Sequence, residues 1–248
     1  NLDQALTGFK EELSIFEKID EEIGIALAQG HVGMALFQQG NLEDALGYFK
    51  MQYDISKECD SKQMILQGSG NIALIHNIRG EYDKSLKIYD EVMQIAEDIH
   101  DLRSQGMTYG NLGIIYKNTG DYGLSTQNNN KQLDIAKKIG DDLQKANAYS
   151  NSAVVHQKIG LFDKSLEYHD KNIDLQKKIN NNIALARSYN NLSNTLFDMG
   201  DIKGAKKRLE QGTKISQELG DERSMHIRDF ELAKFLMFEN NYIDAIKS

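Results

Sequence analysis

The chain has 248 residues, 40% apolar and 27% charged, and no apolar run approaches the roughly 18 residues that a membrane span requires. A formal net charge of -8 opposes phosphate backbones and anionic lipid surfaces, which removes nucleic acid and membranes from the expected partners. One cysteine, Cys59, cannot close an internal disulfide and fits a reducing compartment, so a cytoplasmic location is expected, with cytoskeletal association as an option.

Proline is absent while glycine occurs 20 times. Proline stops helices and glycine closes them, so long helices with glycine punctuation are implied. Asn1 is followed by no basic and then apolar leader. Residues 1–20 predict one helix, because Asn1-Leu2 and Ala5 reproduce Asn41-Leu42 and Ala45. From there the chain repeats every 40 residues, with glycine at Gly40, Gly80, Gly120, Gly160 and Gly200 and Asn240 where the next is due. A second punctuation falls halfway, at Asp60-Ser61, His100-Asp101, Gly140-Asp141, Asn180-Asn181 and Gly220-Asp221. Glycine or asparagine suits the left-handed end of one helix, and Asp, Ser or Asn caps the next.

Each unit therefore predicts a helical hairpin. First helices are expected over 21–39, 61–79, 101–119, 141–159, 181–199 and 221–239, and second helices over 41–59 and every 40 residues after that. Full repeats span 21–60, 61–100, 101–140, 141–180 and 181–220, flanked by 1–20 and 221–248, in a single array. Both ends fall within a repeat, so a longer parent protein or covering partners are expected. The apolar spacing is helical throughout, as in Leu112, Ile115, Tyr116 and Thr119. Five residues after each repeat glycine stands a small residue, in the column Ala45, Ser85, Ser125, Ser165, Ala205 and Ala245, which reads as a site of close helix approach. The fold class expected is all-α, a right-handed solenoid of antiparallel helix hairpins.

The stretch Gly110-Asn111-Leu112-Gly113-Ile114-Ile115-Tyr116-Lys117-Asn118-Thr119-Gly120-Asp121-Tyr122 resembles the tetratricopeptide repeat signature in a 40-residue form. Asn71-Ile72-Ala73, Asn151-Ser152-Ala153 and Asn191-Leu192-Ser193 echo its centre, and His169 and Leu133-Asp134-Ile135-Ala136 resemble the pattern of LGN/Pins polarity adaptors. Kinesin light chains and bacterial regulators resemble it more loosely. The sequence departs from the pattern at Asn129, where an aromatic residue or histidine is expected, and lacks the proline that ends the shorter repeat.

The resemblance implies a protein-binding groove lined by the first helices. Asn71, Asn111, Asn151 and Asn191 occupy one column of those helices and resemble the groove asparagines that grip a peptide backbone, with Asn194 and Asn147 as companions. The same amides could instead satisfy neighbouring helix ends. Arg103, Lys117, Lys145, Lys158 and Arg187 give these helices a basic excess once capping acids are set aside, which favours an acidic peptide over the bland alternative of solvated edges. The Tyr109, Tyr149 and Tyr189 column reads as packing between helices, as do His76 and His156 in the column of Tyr116.

Gly68-Ser69-Gly70-Asn71-Ile72-Ala73 matches a dinucleotide fingerprint, but the repeat register places it inside a helix. No histidine or cysteine spacing suits a metal, and no nucleophile has a base beside it in register, so neither an enzyme nor a cofactor is expected. The expected role is a protein-interaction scaffold that binds an acidic peptide. The alternatives are a structural subunit of a cytoskeletal or ciliary assembly and a regulatory arm of a larger multidomain protein.

Overall fold

The structure is a computed structural model that describes residues 2–220, 228 and 231–237. Asn1, Asp221, His226, Asn240, Asn241, Tyr242 and Ala245 lie outside the described residues, as does most of the helix expected over 221–239. Up to residue 220, eleven helices follow in chain order: α1 Leu2–Lys18, α2 Glu22–Gln38, α3 Leu42–Glu58, α4 Lys62–Ile78, α5 Tyr82–Asp98, α6 Leu102–Thr119, α7 Tyr122–Ile139, α8 Asp142–Lys158, α9 Phe162–Lys178, α10 Asn182–Asp198 and α11 Ile202–Leu219, and residues 231–237 are helical as well. No strand occurs among the described residues. The chain divides into two compact units, Asn1–Thr119 and Gly120–Ser248. In the first, α1 to α6 pack in sequence, and α4 also touches α2 and α6. In the second, α7 to α11 pack in sequence and α8 touches α10.

Backbone conformation at the junctions sets the hairpins. Gly40, Gly80, Gly120, Gly160 and Gly200 all take positive φ, and so do Gly140 and Gly220 at the halfway marks. At the first of these, Asn41 N–H donates to Leu36 O at 3.0 Å and Gly40 N–H to Phe37 O at 3.0 Å, the closure that a left-handed residue makes possible. Asp20, Asp60, His100 and Asn180 accept the same conformation without being glycine, with φ between 50° and 55°. Asp101, Asp121, Asp141, Asn181 and Asp201 then cap the next helix by accepting a backbone N–H three residues on. Ser61 was expected to do the same but makes no capping bond from its side chain.

The column of small residues is where the two helices of a hairpin meet. Ser85 Oγ donates to Ala73 O at 2.7 Å, and Ser165 Oγ donates to Ala153 O at 2.9 Å. In the repeat 181–220 the serine has moved to the other helix, and Ser193 Oγ donates to Ala205 O at 2.7 Å. A side chain reaches the opposite backbone only if both Cβ atoms are small and the helices nearly touch. Ala73, Ser85, Ala153, Ser165, Ser193 and Ala205 are accordingly fully buried.

Four residues further along each second helix runs a second buried column: Phe49, Tyr89, Asn129, His169 and Leu209. Gly33 makes room for Phe49, since a Cβ on it would stand 2.7 Å from the ring. His169 Nε2 lies 2.9 Å from Thr195 Oγ1, which donates to Asn191 O at 3.3 Å. Asn129 is fully buried, and neither of its amide atoms has a hydrogen-bond partner among the described residues. The departure from pattern at Asn129 thus places an unsatisfied amide where the other repeats place rings or leucine.

Two predictions follow from this column. Replacing the orphaned amide by Asn129→Leu, the residue type at Leu209, should stabilise the chain by about 1–2 kcal/mol in urea unfolding, and a lower midpoint would contradict the packing. Burial holds the His169 imidazole down to about 4 from its ordinary 6.5. Between those values the unfolded chain binds a proton that the fold excludes, so stability is full above about pH 6.5 and falls as pH drops toward 4. Unfolding at about pH 4.5 should cost about 2 kcal/mol less than at pH 7, and His169→Gln should flatten that dependence.

Candidate functional site

The faces of the first helices carry the residues singled out in the sequence. In the first unit, α2, α4 and α6 enclose a recess of about 590 Å³. Asn71 on α4 and Asn111 on α6, both half-buried, line it together with Arg103 at the start of α6. Its apolar lining comes from Leu27, Met34, Leu66, Leu74 and Met107, with His31, Gln63, Gln67, Asp101, Ser104 and Thr108 adding polar groups. Its floor comes from the second helices, with Gln52 of α3 and Tyr89 and Val92 of α5.

The recess has a local cause. In the repeat 21–60, Gly30 on the first helix faces Gln52, whose amide lies 2.6 Å from where a Cβ would be. In the repeat 181–220 the pair is reversed, and Asn190 Oδ1 would meet a Cβ on Gly212 at 2.5 Å. One long amide fills the space that the opposite glycine leaves. The repeat 61–100 has Gly70 and Val92 at these two places, and a Cβ on Gly70 would meet nothing within 4 Å. No amide fills the gap, and the groove deepens there.

The floor sets two buried polar side chains beside Val92. Gln52 is 2% exposed and Tyr89 is 1% exposed. Gln52 Oε1 and the Tyr89 hydroxyl have no hydrogen-bond partner among the described residues. Burial pushes the Tyr89 phenol well above its ordinary range, so it stays protonated and available as a donor. At the rim, the Asp101 carboxylate is occupied by Ser104 N at 3.0 Å, Ser104 Oγ at 2.6 Å and Gln63 Nε2 at 3.3 Å, and His31 Nδ1 lies 3.1 Å from Glu12 Oε2.

Lys117, half-buried, stands in the last turn of α6. In the second unit, Asn151 on α8 and Asn191 on α10 are half-buried, and Lys158 and Arg187 are exposed. Asn194 is held within the chain, since its amide faces the Glu231 carboxylate, to which Nδ2 donates at 2.7 Å. The basic excess is smaller than the sequence suggests. Lys145 pairs with Asp142, which also holds Lys178 at 2.7 Å, and the two ammonium groups keep the Asp142 carboxyl at about 2. Setting capping acids aside therefore overcounts this helix, because a carboxylate in the first turn also neutralises a lysine three residues on.

Tyr189 is buried among Ile173, Leu185 and Leu192, while Tyr149 is half-buried and stacks on Tyr168 with ring centroids 5.9 Å apart. Tyr109 is half-buried. His156 is buried with Nδ1 2.7 Å from Ser152 O, and His76 is half-buried beside Glu81 at 2.6 Å. Gly68 to Ala73 lie within α4, without the strand and tight turn of a dinucleotide site. Among the described residues no group of histidine, cysteine or carboxylate side chains could hold a metal ion. None of the described helices is long and apolar enough to cross a membrane.

The geometry predicts opposite outcomes at two glycines. Gly70→Ala should raise stability by about 0.5–1 kcal/mol, because a helical glycine is replaced where there is room. Gly33→Ala should lower it by about 1–3 kcal/mol, because the added Cβ collides with the buried Phe49 ring. Thermal melting of the two variants checks both signs.

Comparison with known proteins bears on this arrangement. The sequence profile described as tetratricopeptide repeat matches residues 64–140 and 144–218. No curated protein matches the chain. Among solved structures, a Rap protein complexed with competence and sporulation factor is similar with a TM-score of 0.72 at 16% identity, over 96% of this chain and 71% of that one. NprR in complex with its cognate peptide NprX is similar with a TM-score of 0.72 at 17% identity, over 96% and 68%. Aspartyl phosphate phosphatase F from Bacillus subtilis gives 0.72 at 18% identity, over 94% and 67%. At these identities the likeness speaks to the fold.

Proposed function

This chain belongs to the tetratricopeptide repeat family, and from that premise we propose that it is a non-enzymatic scaffold whose first-helix faces hold a peptide of a partner protein. The observation that carries this reading is the recess of the first unit, where the half-buried amides of Asn71 and Asn111 stand beside apolar walls. An amide both donates and accepts, so it suits a peptide backbone of any sequence, while the apolar walls suit side chains. The structurally similar NprR was solved with a cognate peptide, which points the same way, as does the resemblance of the 40-residue unit to LGN/Pins adaptors.

In this reading Asn151 and Asn191 act on the second unit as Asn71 and Asn111 do on the first. Arg103, Lys117, Lys158 and Arg187 favour acidic side chains, Lys158 and Arg187 being the exposed pair on α8 and α10. Asn194 contributes less, since Glu231 already engages it.

The test is to pan a random dodecapeptide library on the chain. Enrichment of peptides carrying Asp and Glu is expected. Asn71→Ala with Asn111→Ala should weaken the selected peptides by about 1–3 kcal/mol per lost amide with an unchanged melting curve. Lys158→Glu with Arg187→Glu should abolish the acidic preference and flatten the salt dependence. No enrichment, or full affinity in the double alanine variant, would overturn the reading.

A further inference from the structure

We propose that the recess between α2, α4 and α6 is an anchor pocket for one large apolar side chain of the bound peptide, such as leucine, methionine or phenylalanine. The proposal rests on the peptide-binding reading and adds to it what the first unit recognises.

Three observations select the occupant. The first is exposed apolar surface gathered in one concavity. Leu27 and Met34 of α2 and Met107 of α6 are 38%, 37% and 53% exposed, and the half-buried Leu74 of α4 lies with them in the lining. Keeping such surface wet around a hollow of about 590 Å³ is unfavourable, and an apolar occupant relieves it. The second is the open place at Gly70, where a Cβ would meet nothing within 4 Å and Val92 stands in the column that holds Gln52 one repeat earlier. Room is left there for a side chain that the chain itself does not supply. The third is that polar groups of the rim are engaged within the chain. Asp101 is held by Ser104 and Gln63, Thr108 Oγ1 donates to Ser104 O at 2.9 Å, and His31 lies against Glu12.

A charged anchor is disfavoured with either sign. A carboxylate would share the recess with the Asp101 carboxylate, and an ammonium group would share it with the Arg103 guanidinium, while both would lose hydration on entering. Arg103 is exposed, so an acidic neighbour of the anchor meets it from outside. The thioethers of Met34 and Met107 adapt their shape, so the pocket selects size and apolarity rather than one branching pattern. The second unit is built differently. The column of Leu27 and Met107 continues there as Asn147 and Arg187, and the buried Asn172 stands at the place of Val92, its Nδ2 donating to Ala146 O at 2.6 Å. The apolar demand therefore belongs to the first unit.

The same dodecapeptide panning tests this with a separate readout. Selected peptides should share a large apolar residue at one fixed position, and changing it to alanine should cost about tenfold or more in affinity. Met107→Glu sets a carboxylate on the recess at an exposed position, and should weaken these peptides by a similar factor without lowering the melting temperature. Met51→Glu, at an exposed position of α3 outside the recess, should bind them as the parent chain does. Gly70→Leu, which adds a side chain into open space, should remove binding while melting at the same or a higher temperature, and Met107→Glu carries the test if it melts lower. Peptides selected without a shared apolar residue, or peptides that bind Met107→Glu or a folded Gly70→Leu at full affinity, would overturn the pocket and leave the scaffold reading standing. No selected peptides at all would overturn both.

Discussion

Two helices can lie close enough to exchange a serine hydroxyl for a carbonyl only where neither carries a bulky Cβ substituent. That contact, Ser85 to Ala73, Ser165 to Ala153 and Ser193 to Ala205, fixes the depth at which each second helix seats on its first. Once the depth is set, the residues four places on, from Phe49 to Leu209, are driven fully into the interior. Those residues in turn need space across the hairpin, which is why Gly33 lies under the Phe49 ring. A hydroxyl on either strand of the contact does the same work, so the serine can change sides without changing the geometry.

Close packing at one level makes the next level sensitive to single side chains. Gln52 over Gly30 and Asn190 against Gly212 are two solutions of one volume constraint, a long amide opposed to no side chain. Gly70 opposite Val92 satisfies the backbone spacing but not the volume, and the deficit emerges as a hollow on the face lined by Asn71 and Asn111. The hollow of the first unit is in this sense a packing defect that the hairpin frame holds open.

The helices were legible in the sequence because their ends are marked by glycine and capping residues in strict register, and observed limits fall within about two residues of those expected. Even without glycine, His100 and Asn180 take the left-handed conformation that the register requires. The asparagine column was legible as a face, and Asn71 and Asn111 do share a recess. The recess itself was not, since it arises from a glycine on one helix that no amide on the other compensates, which shows only when the columns 30, 70, 190 and 52, 92, 212 are compared across hairpins. Charge was misread at Lys145 because local pairing with Asp142 depends on rotamers that spacing alone does not reveal. The partner of Asn194 was not legible either, since Glu231 lies almost a full repeat away.

Every compensating pair described above, Gly30 with Gln52, Ala73 with Ser85, Ala153 with Ser165, Asn190 with Gly212 and Ser193 with Ala205, lies inside one 40-residue repeat. A gene that gains or loses one whole repeat by unequal crossing-over therefore keeps each partner with its mate. Copying residues 61–100 would duplicate the uncompensated pair Gly70 and Val92 together, where point mutation would have to change both helices in turn.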